Sequence, residues 1–455
     1  MGWEERIECN RKKKSSVGAE WDQKLPEDWA FSLIKRYFNV TLGKMLQSVQ
    51  LNETETEEYY LRSANLRWEG VDITDVRRMW FAPLEKKKLA LQYGDLLVSE
   101  GGDAGRTSFW KDELSNCYIQ NAINRVRARK KDSTRFLYYW LYLIKSIGYI
   151  DAVVSRITIA HLTAEKLERI PFIAPPVHVQ QHIVAYLDKT CAAIDKAIAT
   201  KQKQLEILND LRMSIIHKAV TRGLDDSVEL KDSRVEWLGR NPKYWITTQL
   251  KLVSTLQSGI TLGKTYGGKL IERPYLRVAN VQDGYLELEQ IKTIFLSESE
   301  AKRTELCKGD VLMTEGGDLD KLGRGHMWDG QIPNCLHQNH IFAIRCNIEK
   351  FLPEYLTIIT SSGYGRAYFE ATGKRTTNLA STNSTKIRSF RIPLPPMAEQ
   401  TAIIENLLIM QKQSDKLQEN LYTQISTLKQ YRKSLIHECV TGKRRITEDD
   451  VQGQL

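Results

Sequence analysis

The segment Gly94-Asp-Leu-Leu-Val-Ser-Glu-Gly-Gly-Asp103 recurs as Gly309-Asp-Val-Leu-Met-Thr-Glu-Gly-Gly-Asp318, with most positions identical and the others conservative. The displacement between the two copies is 215 residues. Repeats of solenoids and propellers are far shorter, roughly 20–50 residues. A whole duplicated domain is therefore predicted, and further matches should lie on both sides of this motif.

Such matches are found, displaced by 215 to 220 residues. The pairs are Trp21, Pro26 and Trp29 with Trp237, Pro242 and Trp245; Thr41–Lys44 with Thr261–Lys264; Leu61–Asn65 with Leu276–Asn280; Gln120-Asn121 with Gln338-Asn339; Pro175-Pro176 with Pro395-Pro396; and Ser214–His217 with Ser434–His437. The chain thus carries two copies of one unit, and each unit is a domain followed by a helix.

Each copy is predicted to be a mixed α and β domain up to its double proline. Short apolar or aromatic runs such as Leu96–Val98 and Val311–Met313 alternate with Gly, Asn and Ser clusters, a pattern typical of strands and turns. A helix is predicted among them, at Phe136–Ile147 in the first copy and at Leu352–Thr360 in the second.

A long run without Gly or Pro follows each double proline, at His178–Arg222 and at Met397–Thr441. Its apolar residues fall near seven-residue spacing, which predicts a coiled-coil seam. Lys201 and Ser414 interrupt the seam, where each could fix register or partner, or could equally face solvent. The seam positions are Leu187, Ile194, Ile198, Leu205 and Leu208 in the first helix, and Leu407, Leu417, Leu421, Leu428 and Leu435 in the second.

The predicted fold class is α+β, with two duplicated mixed α/β domains joined by two long helices. Because the helices occupy equivalent positions of a duplicated chain, they are expected to pair as an antiparallel coiled coil about a pseudo-twofold axis. The predicted divisions are an N-terminal extension at 1–20, domain 1 at 21–176, helix 1 at 177–222, a linker at 223–236, domain 2 at 237–396, helix 2 at 397–442 and a tail at 443–455.

The composition favours a folded protein with a polyanionic partner. Hydrophobic residues make up 42% of the chain, and 66 Lys and Arg against 56 Asp and Glu leave a net charge of +10. The seven cysteines are scattered without ligand spacing, so neither a disulfide framework nor a metal site is indicated. No signal-peptide pattern and no apolar run of about 18 residues is found, so a cytoplasmic location is expected.

No catalytic motif is found, which predicts a binding protein and not an enzyme. The Gly-rich stretches Glu100–Arg106 and Glu315–Arg324 match neither phosphate-binding pattern, and are better explained as tight turns. The segment Asn241-Pro-Lys-Tyr244 is one residue from the Asn-Pro-Pro-Tyr loop of adenine-N6 methyltransferases. Its counterpart Leu25-Pro-Glu-Asp28 has no such resemblance, so a turn at the start of the domain is preferred.

Three segments resemble one family. The segment Ile392-Pro-Leu-Pro-Pro-Met-Ala-Glu-Gln400 is similar to the junction of recognition domain and helix in type I restriction-modification specificity subunits. The helix end Ser434–Gly442 and the Gly-Asp-Val-Leu-Met-Thr-Glu-Gly run look like the same family. The doubled layout is the family's own, although Ala174–Gln181 departs from the first motif.

This resemblance implies a bacterial or archaeal DNA-specificity subunit in which each domain reads half of a bipartite target. The helices would set the spacer length and dock two modification subunits and two restriction subunits. Those partners would hold S-adenosylmethionine, ATP and Mg, with no cofactor and no metal on this chain. The alternative is a stand-alone regulatory protein with two DNA-binding domains.

DNA contacts are expected from basic and amide side chains in or near the repeated motifs. The candidates are Lys44, Arg62, Arg106, Gln120, Asn121, Lys264, Lys269, Arg277, Arg324, Gln338, Asn339, Lys374 and Arg375. Residues alike in both copies cannot distinguish two different half-sites, so they are expected to be scaffold or phosphate contacts.

Base readers are therefore expected where the copies differ. Three pairs of segments meet that condition. They are Gln47–Glu58 against Tyr266–Arg273, Ala104–Ser115 against Leu319–His337, and Ser155–Ala160 against Lys374–Asn378.

Overall fold

The computed structural model describes residues 25–154, 161–264, 267–282, 284–317, 322–323, 325–375 and 380–453. The chain divides into two compact units, residues 1–200 with 424–455 and residues 201–423. Each unit contains one globular domain together with about half of each long helix. The predicted extension at 1–20 lies outside the described residues.

The first unit is built from short strands and short helices before its long helix. Its strands are β1 Ala30–Leu33, β2 Phe38–Leu42, β3 Thr56–Leu61, β4 Leu66–Arg67, β5 Gly70–Val71, β6 Arg77–Phe81, β7 Leu96–Ser99, β8 Thr107–Phe109, β9 Cys117–Ile119, β10 Ile123–Ala128 and β11 Pro171–Ala174. Its short helices are α1 Ile34–Tyr37, α2 Pro83–Leu89, α3 Thr134–Ser146, α4 Tyr149–Val154 and α5 Ala164–Glu168. The long helix α6, Val177–Arg222, begins in this unit and ends in the second.

The second unit is likewise built from short strands and short helices before its long helix. Its strands are β12 Leu230–Asp232, β13 Arg240–Pro242, β14 Ile246–Gln249, β15 Ser254–Ser258, β16 Leu270–Leu276, β17 Lys292–Ser297, β18 Val311–Thr314, β19 Gly316–Gly317, β20 Gly325–Met327, β21 Leu336–His337, β22 Ile341–Cys346, β23 Lys374–Arg375, β24 Ala380–Ser381 and β25 Arg391–Leu394. Its helices are α7 Glu298–Thr304, α8 Pro353–Ser361, α9 Gly363–Thr372 and α10 Ser384–Ser389, followed by the long α11 Met397–Val440; α12 Glu448–Gln452 belongs to the first unit.

The two domains share one sheet topology. The antiparallel sheet β2-β10-β7-β8 corresponds to β15-β22-β18-β20, and the sheet β6-β3-β9 corresponds to β17-β16-β21. In both three-stranded sheets one pair is antiparallel and the other is parallel. The predicted duplicated α+β fold is confirmed.

The two long helices run antiparallel within each unit. In the first unit Asp195 of α6 pairs with Arg432 of α11, and Tyr186, earlier in α6, lies beside Arg444, later in the chain. In the second unit Arg212 pairs with Asp415. Further along α6, its end approaches Glu399 near the start of α11.

Buried seam positions follow alternating spacings of four and three residues. Leu187, Ile194 and Ile198 are buried in α6, as are Leu407, Leu421 and Leu435 in α11. The remaining predicted positions Leu205, Leu208 and Leu428 are half-buried. Ser414 is buried and Lys201 is half-buried.

Leu417 was wrongly placed in this seam, since its side chain is 48% exposed. The four-three spacing runs from Ser414 through Gln418 to Leu421 and then to the buried Ile425. Leu417 therefore lies one residue away from a core position, on the flank of the helix.

A buried glutamine anchors the start of each long helix to its domain. The Gln180 side chain donates to Pro175 O at 2.8 Å and accepts from Ser133 N at 2.8 Å. Gln400 makes the equivalent contacts, to Pro395 O at 3.0 Å and from Leu352 N at 3.0 Å. Each amide thus ties the double proline to the segment that opens a helix of the domain.

A glycine in the left-handed conformation follows the end of each long helix, α6 and α11. Gly223 has φ +80° and Gly442 has φ +74°, which favours glycine after the end of a helix. A Cβ on Gly442 would lie 2.8 Å from a Pro26 ring atom and 3.3 Å from Trp29, and one on Gly223 would lie 3.3 Å from Trp245. Both ends therefore pack against the tryptophan that opens a domain. Within the described residues no helix is long and apolar enough to cross a membrane.

Candidate nucleic-acid interface

The buried aspartate of the repeated Gly-Asp motif forms an ion pair with a partly exposed arginine in each unit. Asp95 and Asp310 are almost fully buried, and they accept bidentate hydrogen bonds from Arg127 and Arg345. The Nη2–Oδ2 distance is 2.7 Å in both pairs. Since β7 and β18 follow these aspartates directly, the repeated acid fixes the strand that leads to the Gly-rich turn.

A histidine lies near the Gly-rich turn in both units. Glu315 Oε2 lies 2.7 Å from His340 Nδ1. In the first unit burial raises the pKa of Glu100, while the charge of His161 opposes that shift. The two histidines come from different places in the repeat.

Two of the three predicted pairs of reading segments adjoin this turn. A Cβ on Gly101 would lie 3.3 Å from His161, which directly follows segment 155–160. In the second unit β19 of the turn pairs with β24, which pairs with β23. Residues 155–160, 318–321, 324 and 376–379 lie outside the described residues, and so does the candidate Arg324.

Arg62 and Arg277 make the same backbone contacts in the two units, and Arg62 also forms an ion pair with the Asp75 side chain. Arg62 Nη2 donates to Asp75 O at 3.0 Å, and Arg277 Nη2 donates to Gln290 O at 3.2 Å. Asn65 Oδ1 accepts a hydrogen bond from the backbone N–H of Arg62, three residues earlier, and Asn280 Oδ1 accepts the equivalent bond from Arg277. Both candidates therefore lie in a loop scaffold.

The candidate Arg106 also contacts the protein. Its Nη2 donates to Ser63 O at 2.8 Å, which joins the Gly-rich turn to the loop after β3. Its buried Nε atom has no hydrogen-bond partner among the residues that the structure describes.

Lys44 and Lys264 pair with equivalent glutamates, but they are not equivalent along the backbone. Lys44 binds Glu85 in α2, and Lys264 Nζ lies 2.7 Å from Glu300 in α7. The backbone bridge of Lys44 to Gln120 corresponds to the bridge of Ile260 to Gln338. The match of Thr41–Lys44 with Thr261–Lys264 is therefore wrong in register, because strand pairing aligns Lys44 with Ile260.

The remaining lysines among the candidates are exposed. Lys269 and Lys374 face solvent, and neither forms an ion pair with any residue in the described part of the chain. The side chain of Arg375 lies outside that part. These two lysines are the predicted basic residues that stay available to an external anion.

The amides of Gln120, Asn121, Gln338 and Asn339 lie at equivalent half-buried positions. Asn121 N donates to Lys44 O at 2.8 Å, and Asn339 N donates to Ile260 O at 2.9 Å. Among the described residues, none of the four side chains forms a hydrogen bond. Hydrogen bonds therefore fix the backbone of these residues, while their side-chain amides remain available for hydrogen bonding.

The outer faces of the three-stranded sheets include the ends of one predicted pair of reading segments, Gln47–Glu58 and Tyr266–Arg273, but their aromatic residues were not predicted as site residues. In the first unit the Arg78 guanidinium lies 4.2 Å from the Tyr59 ring centroid, beside Trp80 on the same face. In the second unit the matching face presents Phe295, which is 59% exposed, opposite Glu272.

Residues 26–207 match the family described as type I restriction modification DNA specificity domain. Relatives that match nearly the whole chain are type I restriction enzyme specificity subunits. The first domain and part of α6 thus match a DNA specificity domain, and the full chain is similar to specificity subunits. The specificity-subunit resemblance predicted from the sequence is thereby confirmed.

Two specificity subunits illustrate the similarity. The EcoKI specificity subunit of Escherichia coli K12 is 22% identical over 435 residues, which cover 92% of this chain and 90% of the relative. The MjaVIII specificity subunit of Methanocaldococcus jannaschii is 24% identical over 436 residues, which cover 93% and 94%.

Solved structures from type I restriction-modification systems share the fold. One chain, from a study of complex assembly and conformational transition in a type I R-M system, has a TM-score of 0.68 at 14% identity, covering 93% of this chain and 100% of that one. The HsdS subunit of Thermoanaerobacter tengcongensis has a TM-score of 0.56 at 15% identity, covering 93% and 99%.

Proposed function

We propose that this chain is the DNA sequence-specificity subunit of a type I restriction-modification enzyme. Each domain reads one half of a bipartite target, and the chain is a recognition subunit without a catalytic centre of its own. The duplication carries the proposal. Two domains of equal topology have matching scaffold contacts and different exposed surfaces, which suits a target made of two different half-sites.

Each domain has a hydrophobic core of its own, which supports independent reading of the two half-sites. In the first unit Leu61, Phe81 and Trp110 are buried together under the three-stranded sheet. In the second unit Leu276 and Trp328 belong to the corresponding cluster. A domain with its own core can keep its shape when the other is exchanged, so the two readouts are independent.

The proposed DNA-facing groups are the exposed Lys269 and Lys374 and the open amides, whose side chains have no hydrogen-bond or ion-pair partner among the described residues, together with the outer sheet faces. The net charge of +10 supports binding to a polyanion. Bases are read by the segments that differ between the units, beside the Gly-rich turns.

The long helices dock the partner subunits and set the spacer between the half-sites. Ile207 and Leu211 are each 54% exposed on one flank of α6, and Leu417 is 48% exposed on a flank of α11. Apolar side chains on an otherwise polar helix support packing against further helices. The partners are two modification subunits and two restriction subunits in the bacterial or archaeal cytoplasm. Those partner subunits bind S-adenosylmethionine, ATP and Mg.

Methylome sequencing of a host that carries the chain with its modification subunit tests this function. A bipartite methylated motif is expected. Replacing residues 239–395 by the equivalent domain of a related subunit should change only one half of that motif. A stand-alone regulator would give no methylated motif, and a change in both halves would contradict independent reading.

A further inference from the structure

We infer that Lys145 is a positioning residue for base reading in the first unit, because it holds the Gly-rich turn against the end of α3. The inference deepens the proposed function and rests on it, since segment 104–115 is there one of the segments that read bases. Lys145 contacts no base itself. It fixes the position of the turn from which the reading segment begins.

The ammonium group of Lys145 joins two carboxylates from different parts of the first unit. Its Nζ lies 3.0 Å from Asp103 Oδ1 in the Gly-rich turn and 2.6 Å from Asp151 Oδ1 in α4. The Lys145 side chain is 17% exposed, so these ion pairs are screened less than pairs on an open surface. Burial disfavours the charge, but the two carboxylates outweigh it and raise the pKa of Lys145, which is therefore charged at neutral pH.

The turn also packs closely against the helix that contributes Asp151. Ala104 is 4% exposed, and Gly105 has φ +84°. A Cβ on Gly105 would lie 2.8 Å from two side-chain atoms of Ile150 in α4. The backbone conformation and the close approach both require glycine at this position. An ion pair at Asp103 and tight packing two residues later thus hold the same turn.

The reading segment begins inside this turn. Arg106 N donates to Asp103 O at 3.0 Å, and Arg106 O accepts from Ser99 N at 2.8 Å. Gly105 N also donates to Ser99 O at 2.9 Å. These hydrogen bonds make the turn a small unit that moves as one, so a shift of Asp103 displaces the start of segment 104–115.

The end of α3 is itself fixed to the long helix α11 within the first unit. Lys433 Nζ donates to Ser146 O at 2.9 Å, and the Arg432 guanidinium lies 5.0 Å from the Tyr142 ring centroid. Lys145 stands between Tyr142 and Ser146 along α3. It therefore holds the reading turn in place relative to the helix that the proposed function makes responsible for the spacer.

The second unit holds its Gly-rich turn by other contacts. Helix α3 has 13 residues and α8 has 9, and Lys145 lies in the last turn of α3, which α8 lacks. In the second unit β19 of the turn pairs with β24, and Gly323 packs against the ring of Phe369 in α9. Loss of Lys145 should therefore impair the reading of one half-site alone.

The test uses the complex of the full chain with its modification subunits, and duplexes with single base-pair changes in either half-site. The half-site of the first unit is the one that stays unchanged when residues 239–395 are exchanged. A wrong base pair ordinarily weakens binding by about 5- to 150-fold. In Lys145→Met this penalty should shrink by about 3- to 10-fold in the half-site of the first unit, and it should keep its wild-type value in the other.

Three further variants separate positioning from direct reading. Lys145→Arg keeps the charge and should keep the wild-type penalty. Asp103→Asn should show the same selective loss as Lys145→Met, and it carries the test if that variant does not fold. The double variant should lose no more than Lys145→Met, because both changes break one contact. Additive losses would overturn the inference.

The matched control is Lys218→Met, because Lys218 pairs with Asp226 at 2.7 Å beyond the end of α6 and not with a Gly-rich turn. This variant should keep the full penalty in both half-sites. Weakening of Lys145→Met by one factor on all duplexes would make Lys145 a phosphate contact or a general stabiliser. That outcome, an unchanged penalty, or a loss in both half-sites would overturn the inference. A wild-type complex that recognises no bipartite site would instead overturn the proposed function.

Discussion

Arg432 of α11 forms an ion pair with Asp195 of α6, with 3.0 Å between Nε and Oδ1. The residues displaced by 220 positions, Arg212 and Asp415, form the same pair with donor and acceptor helices exchanged, at 3.3 Å. The arginine of the first pair is more deeply buried than that of the second. The Arg432 side chain is 15% exposed and lies 5.0 Å from the Tyr142 ring, whereas the Arg212 side chain is 29% exposed.

Arg432→Ala should therefore destabilise the chain more than Arg212→Ala. Loss of the ion pair, the ring contact and the packed stem should cost about 1–3 kcal/mol at Arg432, against less than about 1 kcal/mol at Arg212. Urea unfolding of both variants measures the difference. Equal losses would mean that the contact with Tyr142 contributes nothing.

Gln400→Met should loosen the start of α11. The change leaves Pro395 O and Leu352 N without their partner, and an unsatisfied buried polar group costs about 1–3 kcal/mol. Hydrogen exchange of the first turn of the helix should accelerate. Gln181→Met is the matched control, because Gln181 is exposed beside the equivalent Gln180. If both variants exchange alike, the buried amide is not the anchor.

Arg62→Ala and Arg277→Ala should lower stability without changing the methylated motif. Each guanidinium donates to a backbone carbonyl in its own loop, at Asp75 and at Gln290, so a loss of about 1–2 kcal/mol is expected. DNA binding should weaken as the loop loosens. Thermal unfolding and methylome sequencing of each variant test this, and an altered motif would make these arginines base readers.

The second unit should be the more acid-sensitive one because of His337. Burial lowers the pKa of this histidine to about 4, and its Nδ1 lies 2.8 Å from Ile341 O. Since the folded pKa is depressed, stability is complete above the ordinary value near 6.5 and falls as the pH drops toward 4, by about 3 kcal/mol. Ile119 occupies the equivalent strand position in the first unit, so His337→Ile should remove this pH dependence. Urea midpoints between pH 4 and 7 test it, and a slope that survives the substitution would assign it to other groups.

Lengthening α6 by four residues between Thr200 and Gln204 should lengthen the spacer of the DNA target. The insertion adds about 6 Å and rotates the far end by roughly 40° beyond a full turn. At about 3.4 Å per base step this corresponds to one or two base pairs. Methylome sequencing should show unchanged half-sites further apart. A variant that assembles yet methylates at the original spacing would show that the helices do not set it.

The sequence predicted the large features because they repeat. One duplicated Gly-Asp motif was enough to expect two domains of one topology, and the runs without Gly or Pro located α6 and α11 to within a residue or two. Side-chain partners were harder to predict. Lys264 reaches Glu300 from a position that is shifted along the strand relative to Lys44, and Leu417 misses the seam by one residue. The first difference depends on strand register and the second on the rotation of the helix about its axis. The spacing of residues in the sequence fixes neither.

The first unit is assembled from two stretches that the ribosome produces at very different times. Residues 424–440 of α11 pack in the same unit as residues 177–200 of α6, and the entire second unit is synthesised between them. During translation, the seam residues Leu187 and Ile194 can therefore pack against α11 only after the second unit has been synthesised. The second unit has both of its helix halves once residue 423 has left the ribosome. Completion of the second unit thus precedes that of the first, in the reverse of their order along the gene.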